Sequence, residues 1–339
     1  METQLAINTF VKETGGYAAA QLEACTRCGM CAEACHFYQT TGNPEYAPVW
    51  KIELLKRAYE QRFTLAGRAK LALGIDKPIN DEDLVHFSKI VYEACTMCNK
   101  CSMVCPMGIQ LGPLIHEVRT GFSKAGVVPA DLRTAVNKQV TEGSPERTKL
   151  FIQRIFDAAK ELGVKKIVVT ECGHAYDALR WTSYNIMEVP AGLEITHIVG
   201  LIGEYVRTGK IKLKEGAYND GTLTFHDACK IQRRGGHIKE PREILNILAP
   251  KTFKEMTPNK EEAICCGGGG GGVIAIKEAD PIRYAVFELK IDQMRKVGAK
   301  TVVMSCSNCR LQFVDCVQHF NLDVKVAGLS QIVAEALVE

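Results

Sequence analysis

The chain has 339 residues, enough for two or three separately cored domains, and its 46% hydrophobic and 24% charged content is ordinary for a globular protein. A net charge of +3 is small for this size and gives no case for nucleic-acid binding. No apolar run reaches the roughly 18 residues that span a bilayer, and METQLAINTFVKETGG at the N-terminus lacks the segments of a secretory signal. A cytoplasmic protein is expected, with partners supplying any attachment to the cytoplasmic face of a membrane. The 15 cysteines are an odd number without an export signal, and they fall in tight clusters. That pattern points to metal ligands in a reducing compartment and away from disulfides.

In chain order, the first cluster is Cys25, Cys28, Cys31 and Cys35, a C-x2-C-x2-C-x3-C run. Cys95, Cys98, Cys101 and Cys105 repeat it, followed by Pro106. In ferredoxin runs of this pitch three cysteines wrap one cubane and the fourth reaches across to a second. The spacing therefore predicts two cubane 4Fe–4S clusters. One takes Cys25, Cys28, Cys31 and Cys105, and the other takes Cys95, Cys98, Cys101 and Cys35. Four thiolates also suit zinc, but two full copies of the run favour iron and sulfide. The first run ends in Cys35-His36 where the second has Cys105-Pro106, a change to the turn and not to the ligand.

About sixty residues separate the two runs. Within them VWKIELLKRAYEQRF (49–63) has apolar residues at helical spacing, and DEDLVHFSKIVYEA (81–94) opens on acidic residues, as helices do. Residues 1–125 are thus expected to form a helical two-cluster ferredoxin domain. It resembles the two-cluster subunits of heterodisulfide reductase, succinate dehydrogenase and fumarate reductase. Residues 126–160 are read as a linker or helical connection.

From about Glu161 the pattern changes. KKIVVT (165–170), TLTFHDA (222–228) and KTVVMS (300–305) predict strands, and EPREILNILAP (240–250) and YAVFELKIDQMRKVGAK (284–300) predict helices. Alternation of this kind implies a parallel, Rossmann-like α/β domain over 161–339, and an α+β multi-domain chain overall. The segment also repeats internally. DAAKELGVKKIVVTECGHAYDAL overlays KIDQMRKVGAKTVVMSCSNCRLQF with Cys172 on Cys306 and Ala175 on Cys309, and ITHIVGLIGEYV resembles VAGLSQIVAEAL. The same shift applied to Cys265 and Cys266 lands on Asp131 and Leu132, so only one cysteine unit is complete.

That unit is Cys229, then Cys265-Cys266 before six glycines, then Cys306-Ser-Asn-Cys309. It resembles the CCG motif of the heterodisulfide reductase family, whose D-type subunit also carries two ferredoxin clusters ahead of its CCG domains. The resemblance implies that these five cysteines hold a noncubane 4Fe–4S cluster, a pair of fused two-iron units. It further implies an oxidoreductase subunit that reduces a disulfide, or oxidises thiols, of a small thiol or a carrier protein such as the DsrC type. Expected partners are other subunits of a redox complex, among them a membrane quinone or haem subunit, and no nucleic acid. The single CCG unit and ECGHAYDALRW favour the DsrK- and TmcB-type branch of membrane redox complexes. An electron relay without disulfide chemistry is the competing reading.

Gly267, Gly268 and Gly269 are expected to let the backbone turn beside the cluster, where bulkier residues would crowd it. A phosphate loop is disfavoured because Val273-Ile274, and no Gly-Lys-Ser/Thr, follows the glycines. Cys172 reads either as facing the cluster pocket or as a relic core thiol, and Cys316 as core packing. His226 is a candidate proton donor or a satisfied histidine at a strand end, and His174 carries the same two readings. Lys230, Arg233, Arg234 and His237 form a basic stretch that either receives a ligand carboxylate or an acidic partner tail, or is a solvated loop.

Overall fold

The computed structural model describes residues 2–136, 145–269 and 273–338. Positions 137–144 of the expected connection, and Gly270–Gly272 of the glycine run, lie outside these. The fold is α+β, and the chain divides into two compact units. One comprises Met1–Pro145 with Gly270–Val286, the other Glu146–Gly269 with Phe287–Glu339.

In the first unit the described residues are helical. The helix Thr3–Glu13 buries Ala6, Thr9 and Phe10 on one face, and Phe10 meets Phe122 of the helix Leu111–Lys124 edge-on at 6.0 Å. The helix Glu53–Phe63 buries Leu54, Leu55 and Ala58 against the same core. The helix Asp81–Glu93 starts on a capping box: the Asn80 side chain accepts from the Asp83 N–H, and the Asp83 carboxylate accepts from the Asn80 N–H. The sequence is read as one domain over 161–339, yet within it residues 273–286 group with this helical unit. Val273, Ile276 and Ala279 are buried in the helical core, and burial of a valine or isoleucine contributes about 1.5–3 kcal/mol each.

The second unit contains five short strands: β1 (Lys166–Val169), β2 (Glu194–His197), β3 (Leu223–His226), β4 (Thr301–Met304) and β5 (Lys325–Gly328). Among the described residues these strands pair in parallel. They form two small sheets, β1-β2 and β3-β4-β5, rather than one continuous layer. Each sheet carries the repeated unit seen in the sequence. β1 leads through the helix Gly173–Asp177 to β2 and the helix Ile198–Arg207; β4 leads through Ser307–His319 to β5 and Leu329–Glu335. β3 and the helix Lys239–Leu248 add the strand for which the first copy has no counterpart among the described residues. Val199, Leu223, Phe225, Ile244, Leu245, Val303 and Leu329 form this unit's largest apolar core.

Candidate metal centres

In the first unit the two cysteine runs fold alike. Cys25 ends the helix Gly16–Ala24, an irregular loop follows, and the short helix Met30–Glu33 carries Cys31. In the second run Cys95 follows Asp81–Glu93, and Lys100–Met103 carries Cys101. The third and fifth positions of both runs are left-handed, with φ of 55° at Arg27, 82° at Gly29, 50° at Met97 and 65° at Asn99. That conformation costs a non-glycine residue roughly 1–2 kcal/mol. Its recurrence at matching places shows a backbone bent to turn successive thiols inward.

The outcome is two cavities. Cys25, Cys28, Cys31 and Cys105 line one, with Val49 and Ile109. Cys35, Cys95, Cys98 and Cys101 line the other, with His36, Lys51 and Ile115. The space between the lining atoms, open solvent at the mouth included, is about 360 and 370 Å³ respectively. The structure thus brings together the same two fours that the spacing groups, three thiols from one run and the last from the other. Burial first, then the neighbouring cysteines, pushes the Cys101 thiol well up. Such crowded thiols ionise once a metal cation shares the cavity. His36 is buried, and its Nε2 lacks a hydrogen-bond partner. These observations fit an iron–sulfur cluster in each cavity. Arg119, fully buried, donates to the carbonyls of Val91 (2.8 Å) and Cys95 (2.7 Å) and so pins the start of the second loop.

In the second unit the third set gathers at the C-terminal ends of parallel strands, where α/β folds place their sites. His226 ends β3 opposite Met304 of β4, and Cys306 lies two residues further on, before the helix Ser307–His319 that carries Cys309. Cys265, Cys266, Cys306 and Cys309 are all buried. Cys265 and Cys309 donate to Cys266, holding its thiol well below the usual value against the opposing effect of burial. Contact with Cys309, helped by the Cys309 and Gly173 N–H groups, lowers the Cys306 pKa to about 7 against the effect of burial. A Cys266 sulfur ready to ionise, beside Cys306, is the donor chemistry that a metal centre takes. His226 brings a ring nitrogen within 4.8 Å of the Cys266 and Cys309 sulfurs and interacts with Cys266. Burial, then the Lys290 charge, holds that ring neutral by lowering its pKa.

Cys229 opens the turn Cys229–Arg233, is half-buried, and stands outside this hydrogen-bonded set among the described residues. Cys172 lies before Gly173–Asp177 as Cys306 lies before its own helix, and the two thiols interact; burial, then Cys306, raises the Cys172 pKa. His174 meets Asn308 at 3.4 Å. The glycines differ in their reasons. Gly267 has a φ of 88°. At Gly268 an added Cβ would lie 2.4 Å from Gln312 Oε1 and 2.7 Å from Gln312 Cβ, whereas at Gly269 the nearest atom, His174 Cε1, would be 4.0 Å away. Gln312 in turn donates to Cys316, fully buried, at 3.2 Å.

The basic stretch is neither a solvated loop nor an open receptor. Lys230 and Arg234 hold Asp177 at 2.8 and 2.6 Å. Arg233 donates to the carbonyls of Glu261 and Ala263, and His237 bridges Tyr176 (3.2 Å) and Glu240 (3.1 Å). Asp227 is likewise structural, accepting from Arg242 at 2.8 and 2.9 Å and from the Lys260 N–H at 2.8 Å.

Two residues escape a reading based on cysteines. Lys290 is fully buried, and its pKa falls to about 8 through burial, with Cys265, Cys266, Asp227 and Cys309 opposing. Lys51 is equally buried in the second cavity. The sequence carries a signal for both: each lysine is in phase with the apolar stripe of its helical segment. Lys51 precedes Leu54, Leu55 and Ala58, and Lys290 lies among Phe287, Ile291 and Met294.

Comparison with known proteins agrees with this division. Residues 21–109 match the family described as a 4Fe-4S dicluster domain, and residues 223–314 match the family described as a cysteine-rich domain (CCG). The chain thus carries an iron–sulfur dicluster domain and a CCG domain, and over most of its length it is similar to iron–sulfur subunits of heterodisulfide-reductase-like oxidoreductases. It is 25% identical to the D-type subunit of the dihydromethanophenazine:CoB–CoM heterodisulfide reductase of Methanosarcina acetivorans, over 94% of each protein. It is 22% identical to the Hdr-like menaquinol oxidoreductase iron-sulfur subunit 2 of Archaeoglobus fulgidus, over 94% of this chain and 80% of that protein. With the B-type subunit of the fumarate reductase (CoM/CoB) of Methanothermobacter marburgensis it shares 24% identity over 92% of this chain and 72% of that one. Among the described residues no helix is long and apolar enough to cross a membrane.

Proposed function

We propose that this chain is a redox-complex subunit that carries electrons singly through two cubane 4Fe–4S clusters to a noncubane 4Fe–4S cluster. There a disulfide takes up two electrons and two protons to give two thiols, or the reverse. Cys25, Cys28, Cys31 and Cys105 would hold the first cubane, and Cys95, Cys98, Cys101 and Cys35 the second. Cys229, Cys265, Cys266, Cys306 and Cys309 would hold the noncubane group within a Rossmann-like α/β unit. When bound, the clusters supply the one-electron carriage and the disulfide chemistry; the protein supplies their setting. Lys290 places a buried cation beside the third set, Gly267 turns the chain past it, and Gly268 keeps the packing against Gln312 close.

The observation that carries this reading is the thiol set at the strand ends, with Cys266 poised to ionise. The substrate would be a disulfide-bearing small thiol or a carrier protein of DsrC type, and the heterodisulfide reductase relative supports the disulfide chemistry. The partner would be a membrane quinone or haem subunit on the cytoplasmic face, a reading to which the menaquinol oxidoreductase relative lends the quinone link. The relay reading draws on a different fact: Cys265, Cys266, Cys306 and Cys309 are each 5% exposed or less, which leaves little access for a substrate.

Anoxic iron and sulfide analysis of the intact protein should give about twelve irons, four per cluster; about eight would remove the third centre. On oxidation in the presence of a thiol, an iron-based EPR signal absent without thiol is expected, and it should vanish in Cys266→Ala while the cubane signals persist. A relay would give no thiol-dependent signal.

A further inference from the structure

We infer that Lys51 is a positioning residue that makes the centre held by Cys35, Cys95, Cys98 and Cys101 the stronger electron acceptor of the two in the helical unit. The inference rests on the reading that these cysteines hold a 4Fe–4S cluster, and it adds an order of electron affinity that neither the motifs nor the relatives state.

Lys51 is 1% exposed. Its ammonium donates to the Ala94 carbonyl at 2.6 Å and to Cys35 Sγ at 3.5 Å, and it lies 5.4 Å from the centre of the Phe37 ring. Among the described residues it forms no ion pair with a carboxylate. A buried cation without an anion carries a large desolvation cost, and the negative group within its reach is the thiolate set that lines its cavity. The ammonium is thus held inside the cavity against one of its sulfurs. His36 adds a second, independent observation, because its buried Nε2 has no partner and the residue lines the same cavity.

A four-iron cluster on four thiolates is anionic, and reduction adds one more negative charge. A fixed ammonium hydrogen-bonded to a ligand sulfur stabilises the reduced form more than the oxidised one, and in a low-dielectric interior this effect is large. Among the described residues the first cavity has no counterpart. The cation lining it is Arg27, 45% exposed at the side chain and already paired with Glu53. Water and a carboxylate therefore screen its charge. The two cavities are alike in thiol number and differ in this one buried charge.

The test is an EPR-monitored redox titration of the anoxically loaded full chain, wild type against Lys51→Gln, Lys51→Met and Lys51→Arg. Cys98→Ser identifies which four-iron signal belongs to the second cavity. Lys51→Gln keeps a donor without the charge. It should weaken electron uptake at that signal by at least tenfold, equivalent to about 59 mV for a one-electron couple, and leave the other signal in place. Lys51→Arg should restore most of the shift. An unchanged midpoint in Lys51→Gln or Lys51→Met overturns the inference. So does loss of the second signal in all three variants, which would make Lys51 a scaffold residue only. Absence of two four-iron signals from the wild type would instead overturn the cluster assignment on which the inference rests.

Discussion

Gly267 and Gly268 follow the paired thiols for different physical reasons, and substitution separates them. Gly267 occupies the left-handed region, φ 88°, where an alanine costs roughly 1–2 kcal/mol. The strain expected of Gly268 from the sequence is instead steric, because its missing Cβ makes room for buried Gln312. Gly268→Val should therefore destabilise the second unit by about 1–3 kcal/mol through overpacking. It should also displace the loop enough to lose the third-centre EPR signal while the cubane signals stay. Retention of that signal at wild-type intensity would show that the Gln312 contact is not needed. His197 gives a residue-scale prediction in pH. Its Nδ1 accepts from the Val199 N–H at 3.3 Å and caps the helix Ile198–Arg207. Burial, then the nearby His237, lowers its pKa to about 3. Between that value and about 6.5 the unfolded chain binds a proton that the folded chain does not, so stability is full above about 6.5 and lost as pH falls below it. Urea unfolding at pH 5.5 against pH 7.5 should show wild type losing about 1.4 kcal/mol more than His197→Asn, which keeps a cap without titrating. Equal losses would mean that the ring is already charged in the fold.

At the scale of elements, the end of β3 is held by charge rather than by the sheet alone. Asp227, directly after His226, accepts both Arg242 nitrogens, and Arg242 also donates to Glu255 at 2.7 and 3.0 Å. Arg242→Met leaves a buried carboxylate without its cation and should cost about 3–5 kcal/mol. The double variant Arg242→Met with Asp227→Asn should recover part of that loss, since it removes the stranded charge. Thermal unfolding of the three proteins measures the coupling, and additive losses would show that the pair does not act as a unit. The in-phase lysines belong to this scale too. On an amphipathic helix a lysine in the apolar register is normally an error of patterning; here Lys51 and Lys290 are each 1% exposed and each lies beside a cysteine set.

For the whole molecule, the two units have separate cores, so damage to a cubane should not unfold the C-terminal unit. Cys98→Ser is expected to cost the second cubane and slow electron delivery to the third centre at least tenfold, with the circular dichroism of the α/β unit retained. Delivery at the wild-type rate would remove the second cavity from the electron path.

By itself the sequence determined the cysteine grouping into runs, the helical first half, the three strands KKIVVT, TLTFHDA and KTVVMS, and the repeat, because spacing and periodicity are local quantities. β2 (EITH) and β5 (KVAG) escaped as named strands because neither carries a run of consecutive β-branched apolar residues like KIVV or TVVM. The break of the second unit at 273–286 escaped because the buried partners of Val273 and Ile276 lie in helices far away in the chain. Tertiary structure alone decided that the basic stretch beside Cys229 is consumed by Asp177, Glu240 and backbone carbonyls. It also decided that Lys51 and Lys290 face thiols, and that Cys266 is the sulfur poised to ionise. These are properties of charge and burial, set by which groups come within a few ångströms once the chain has folded, and a linear pattern of residues does not contain those distances.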